Sequence, residues 1–146
     1  MREILFRGKH DSDTAMAYKE SWCYGVPYVD CDGDYVLANE GGGAVVIPQT
    51  VGQYTGLNDK NGTRIFEGDF IQVHGFIFVV KFGKCGGVQN VEHEVGYVGF
   101  YVEPVGENAK LLSDSGLRTD ILYWINDVGV EVIGNIHDNP ELLETN

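Results

Sequence analysis

The sequence predicts a mainly-β fold, and three observations carry that reading. Twenty glycines stand against four prolines, which supplies many tight turns and hence many short strands. Aromatic and β-branched residues gather in short runs bounded by Gly, Asn and Asp, the pattern of strands between turns. Helical periodicity appears in one stretch of real length, near residue 114.

The elements follow in order. Ile4–Arg7 is a short strand. Asp11–Glu20 is polar around an Ala-Met-Ala-Tyr centre and reads as a helical turn or an exposed loop. Trp22–Val29 is aromatic and β-branched but interrupted by Gly25 and Pro27. It reads as a kinked, bulged or edge strand, because proline cannot donate to a ladder. Asp30–Asp34 is a turn by composition. Tyr35–Ala38 and Ala44–Pro48 are strands around the glycine-rich loop Asn39–Gly43, which is expected to be mobile. Asn61-Gly62 is a hairpin signal of type I′, whose two central residues need positive φ. Ile65–Val73 is a strand entered through a Gly68-Asp69 corner, and His74-Gly75 turns it into Phe76–Phe82. That run barely alternates, so it is expected to be buried on both faces. Gly83–Gln89 reads as a turn, and Val95–Val105 as a long aromatic strand.

Leu117, Ile121, Leu122, Trp124 and Ile125 form a helical stripe with Asp114 or Ser115 as N-cap and Gly129 past its end. Val130–Ile133 returns to strand alternation. Asn139-Pro140-Glu141 then starts a short C-terminal helix, with Asn as cap and Pro at the first helical position.

Bulk properties exclude several functions. The net charge is −12. It is spread evenly, at −5 over residues 1–73 and −7 over 74–146. Phosphate-backbone binding draws on Lys and Arg, so generic nucleic-acid binding is not expected. No carboxylate-dense row appears either, which weighs against a DNA mimic. The longest apolar runs, Phe76–Val80 and Ile121–Ile125, fall far short of the ~20 residues of a membrane helix. The N-terminus has no long apolar region of a secretory signal. Three cysteines, Cys23, Cys31 and Cys85, with no CxxC pair, suit reduced thiols in a cytoplasm.

Three blocks of the chain carry a resemblance. The first is Ile4-Leu5-Phe6-Arg7-Gly8-Lys9 followed by Trp22-Cys23-Tyr24-Gly25. The second runs from Thr50-Val51-Gly52-Gln53-Tyr54-Thr55-Gly56-Leu57-Asn58-Asp59-Lys60-Asn61-Gly62 on through Ile65-Phe66-Glu67-Gly68-Asp69. The third is Val132-Ile133-Gly134-Asn135-Ile136-His137-Asp138-Asn139-Pro140-Glu141-Leu142-Leu143. With these the chain resembles the YopX-like family of phage and prophage proteins. The resemblance implies an N-terminal β subdomain over residues 1–57 suited to oligomerisation and an SH3-like barrel over 58–146, or one compact unit of both. It brings no catalytic residues.

Candidate chemistry is sparse. Asp30-x-Asp32-x-Asp34 fails as an EF-hand loop, because Tyr35 and Gly41 occupy the positions that need Gly and Glu. Counted so that Gly62 stands sixth, a second loop would begin at Leu57, which cannot ligate. The cysteines and His10, His74, His93 and His137 show no short zinc-ligand pair, Cys85 and His93 being the nearest. Glu67 and Asp69 flank a glycine. On a strand they would share a face and form an acid/base pair, but a bend at Gly68 with Asp69 bonded to a backbone N–H explains them better. His137-Asp138 lacks a nucleophile in an elbow context and reads as a helix entry. Gln53-Tyr54-Thr55 is polar and aromatic beyond what a linker needs, a composition of adaptable contacts.

The expected function is therefore a non-enzymatic, homo-oligomeric binding or assembly module, cytoplasmic in a bacterial host, with a host or phage protein as partner. No cofactor, metal, catalytic residue, nucleic acid or membrane is expected. Candidate binding residues are Gln53, Tyr54, Thr55, Glu67 and Asp69. Trp22, Tyr24, Tyr97, Phe100 and Tyr101 are candidates for core or interface. The rival readings are a small-ligand binder or enzyme using Glu67, Asp69 or His137, and an acidic inhibitor of a DNA-binding protein.

Overall fold

The structure is a computed structural model, and it describes residues 3–11, 21–86, 96–106, 109 and 129–143. The described chain is mainly β, arranged as two antiparallel sheets. It divides into two compact units, residues 1–56 and 57–146.

In the first unit the strands are β1 (Phe6–Lys9), β2 (Trp22–Val29), β3 (Tyr35–Asn39), β4 (Gly42–Val45) and the start of β5 (Gly52–Asn58), whose last two residues belong to the second unit, in the order β4-β3-β2-β1-β5. β1 pairs with β2 from Phe6↔Gly25 to Lys9↔Trp22 and with β5 through Phe6↔Gln53 and Arg7↔Gly52. Past β4 the chain returns along the end of β1, where Asp11 N–H donates to Val45 and Ile47 N–H to the Lys9 carbonyl. Thr50 then fixes the 3₁₀ turn Pro48–Thr50. Its Oγ1 accepts the Lys9 N–H at 2.8 Å and donates to the Ile47 carbonyl at 2.6 Å.

β2 changes partner at Gly25. Trp22–Gly25 face β1, and Val26–Val29 face β3. β1 thus stops before Pro27, which pairs with Leu37 alone, and proline is tolerated where a second ladder is missing. The Arg7 guanidinium lies 4.4 Å from the Trp22 ring centre and the Lys9 ammonium 4.9 Å from it. Two cations on one indole tie β1 to β2.

In the second unit β6 (Arg64–Phe66) follows β5 in the first sheet's order, and β10-β7-β8-β9 form the other sheet. Its strands are β7 (Asp69–Val73), β8 (Phe76–Gly86), β9 (Gly96–Val105) and β10 (Glu131–Asn135). The core joins Ile65, Ile71, Val73, Phe78, Val80, Val102 and Val130, with Leu57, Phe76, Phe100 and Val132 packed against it. Each fully buried side chain of this kind stabilises by roughly 1.5–3 kcal/mol.

Several expectations are corrected here. The single strand Ile65–Val73 is two strands, β6 and β7, because Gly68 at φ 91° turns the chain between them. Gly83 does not end β8. Ten cross-strand pairs, from Ile77↔Val105 to Gly86↔Gly96, carry it through to Gly86. Asn61-Gly62 is not a type I′ turn, because only Gly62 has positive φ. That turn type sits instead at His74-Gly75, with φ of 49° and 83°. Phe78, Val79 and Val80 are buried on both faces, whereas Phe82 is half-exposed and meets Phe100 edge-on at 5.0 Å. The C-terminal helix is a 3₁₀ turn, Pro140–Leu143. The helical stripe over residues 114–125 and the polar segment 12–20 lie outside the described residues.

Candidate functional site

The motif residues of the second unit are spent on backbone clips. At the β6–β7 corner, Asp69 Oδ2 accepts the Phe66 N–H at 2.8 Å. Gly68 donates its N–H to Val80 and accepts from Ile136, so the corner joins β8 to the end of β10. There Asn135 Oδ1 accepts the N–H groups of His137 and Asp138, and its Nδ2 donates to Asp138 Oδ2. Asn139 turns its carboxamide back to accept the Asn135 N–H at 3.2 Å. The Gly-Asn-Ile-His-Asp-Asn-Pro block is thus a knot of Asx bonds, which satisfies backbone donors that a turn would leave unpaired.

Asp59 makes the third clip. Its Oδ1 accepts from Asn61 and Thr63 at 2.8 Å each, and its Oδ2 reaches Val132 N–H of β10 at 3.0 Å. Lys60 supports it, donating its N–H to Val130 and pairing its ammonium with Glu131 at 3.7 Å. Burial alone would raise the Asp59 pKa. The N–H groups of Val132, Thr63 and Asn61 and the charge of Lys60 outweigh that and lower it from 3.8. A depressed carboxyl stabilises the fold above its ordinary value, and the contribution is lost as pH falls through the folded value. Asp59→Asn is therefore expected to be less stable than the parent at neutral pH. The gap between their urea midpoints should close below about pH 4, since the ordinary Asp value is ~3.9.

The five candidate binding residues fall in separate units. Gln53, Tyr54 and Thr55 lie on β5. Gln53 is half-buried opposite Phe6, while Tyr54 and Thr55 are buried, with the Tyr54 N–H donating to Leu5. They form a strand and not a linker. Glu67 is half-buried in the corner turn, and Asp69, 1% exposed, begins β7. The turn at Gly68 removes the strand face that would have paired the two carboxylates. His137 sits within the Asn135 knot.

The apolar surface of the first unit lies elsewhere. Alternation along β2 puts Tyr24, Val26 and Tyr28 on one face, exposed by 43%, 54% and 49%. Their cross-strand partners are less accessible: Val36 of β3 and Arg7 of β1 are buried and Ala38 of β3 is half-buried, so the exposed part of this face is Tyr24, Val26 and Tyr28 themselves. The Tyr28 hydroxyl reaches across to Gly43, where it would stand 3.5 Å from an added Cβ. No paired position of this face is acidic. Tyr24 was legible as an interface candidate. Val26 and Tyr28 share its face, and Tyr-x-Val-x-Tyr at period two is the sequence signal for it. The side chain of Tyr97, another candidate, is outside the described residues.

Among the described residues no three His, Cys, Asp or Glu side chains group to hold a metal ion. Asp30 Oδ1 accepts the N–H groups of Asp32 and Asp34 and so closes its own turn. Burial pushes the Cys23 thiol up, which lowers its thiolate fraction. No described helix is long and apolar enough to cross a membrane.

The arrangement defines a two-unit β protein that commits its motif side chains to closing turns and leaves one apolar strand face open. It belongs to the YopX protein family, which it matches over residues 5–144, nearly the whole chain. No curated protein matches the chain.

Proposed function

We propose that the protein is a non-enzymatic binding and assembly module of a phage or prophage. It forms a homo-oligomer in the bacterial cytoplasm, and the assembled form contacts a host or phage protein. The observation that carries this reading is the exposed trio Tyr24, Val26 and Tyr28, with no acidic residue at a paired position among the described residues, on a chain of net charge −12. A second copy is equally negative, so it can approach closely only where carboxylates are missing. The face is apolar with tyrosine edges, a composition that suits self-complementary contact about a two-fold axis.

Val26→Asp tests it. The side chain is exposed, so the subunit keeps its fold, while a charge placed against its symmetry mate costs several kcal/mol. Light scattering on a sizing column should show the parent as an oligomer and the variant as a folded monomer. A variant that keeps the parental mass removes this face from the interface.

A further inference from the structure

We propose that Asn61-Gly62 is a site of spontaneous deamidation, held in check by Asp59. Three consecutive amides all donate to that one residue. Asn61 N–H and Thr63 N–H bond Asp59 Oδ1 at 2.8 Å, and Gly62 N–H bonds the Asp59 carbonyl at 3.0 Å. Asp59 N–H in turn donates to Thr63 at 2.8 Å and closes the loop. Asn61 and Gly62 are both exposed, and nothing lies within 4 Å of where a Gly62 side chain would start. Sterically the dipeptide is open to attack, and electronically it is tied down.

The chemistry needs the Gly62 nitrogen to lose its proton to a base and bond the Asn61 Cγ. The side-chain nitrogen leaves as ammonia, and a succinimide remains. Water then opens the ring. Attack at Cγ gives aspartate, and attack at the former backbone carbonyl gives isoaspartate with the chain rerouted through the side chain. In the folded turn the Gly62 N–H is engaged, the neighbouring Asp59 carboxylate disfavours a negative nitrogen, and rotation about the Asn61 backbone would break all three bonds together. Reaction requires near-attack geometry, which here means local opening of the hairpin.

The consequence reaches β10. An isoaspartate at 61 adds a backbone carbon to a loop closed by Asp59 and Thr63, and either product sets a second carboxylate beside Asp59. The same Asp59 holds Val132 N–H across the unit, so converted molecules release that clip.

The test is a time course in mildly alkaline buffer, with trypsin cutting after Lys60 and Arg64 to free the Asn61–Arg64 peptide. Mass separates the Asn form from the deamidated ones, and the Asp and isoAsp isomers, equal in mass, are told apart by chromatography against synthetic standards. Deamidation at Asn61 should run about tenfold slower in the native protein than in the same chain unfolded in urea, since a clip of this size closes the site to that degree. Native Asp59→Ala, checked for fold by circular dichroism, loses the carboxylate bonds to Asn61, Thr63 and Val132 but keeps the backbone bond from Gly62, and should deamidate measurably faster than the native parent. Equal rates in native and unfolded chain, or a folded Asp59→Ala no faster than the parent, overturns the proposal. If Asp59→Ala fails to fold, the native-against-urea comparison decides it.

Discussion

Replacing Gly25 with alanine lowers stability by about 3 kcal/mol, at the upper end of what inserting a buried carbon usually costs. An added Cβ would stand 2.3 Å from the Ala38 carbonyl oxygen and 2.8 Å from its carbon. Those are backbone atoms of β3 and cannot rotate aside. The strain falls where β2 leaves β1 for β3, so relief means separating β2 from β3. Gly33→Ala serves as comparison. Its Cβ meets nothing within 4 Å, and only its φ of 83° opposes the change, which costs about 1–2 kcal/mol. Urea midpoints at unchanged slope measure both. A Gly25→Ala loss below that of Gly33→Ala would mean that the two strands part freely.

Asp69→Ala is the second large effect, with an expected loss of about 3 kcal/mol. The carboxylate is 1% exposed and accepts the Phe66 N–H at 2.8 Å. Alanine leaves that donor buried without this acceptor, and bonds to charged groups contribute roughly 1.5–3 kcal/mol. The vacated volume adds to the loss. Asp69→Asn keeps an acceptor oxygen and should lose about half as much on the same scale. Equal losses for the two variants would show that charge, and not the bond to Phe66, holds the corner.

Local chemistry was legible wherever turn residues act on their own neighbours. Trp22–Val29 is the strand expected, His74-Gly75 makes the hairpin, and Gly68 bends the chain with Asp69 on a backbone N–H. Long-range partners were not legible. Nothing in Asn58–Gly62 announces that Asp59 bonds Val132, 73 positions away, and this clip makes the turn more than an Asn-Gly hairpin. β8 runs through Gly83 because β9 supplies ten pairs, and a cross-strand partner can override a glycine's local preference. Gln53-Tyr54-Thr55 looked like surplus polarity. Tyr54 and Thr55 are in fact strand residues turned inward. The open face on β2 was half-visible, since its period-two pattern was broken to the eye by Gly25 and Pro27, the residues that let the strand change partner.

Native mass spectrometry of the untagged parent protein tests the central claim most directly. The account predicts an oligomer of identical subunits with no bound adduct, dissociated by Val26→Asp. A monomer across the micromolar range would contradict it, and a subunit carrying a stoichiometric small molecule or metal would replace assembly with ligand binding as the function to pursue.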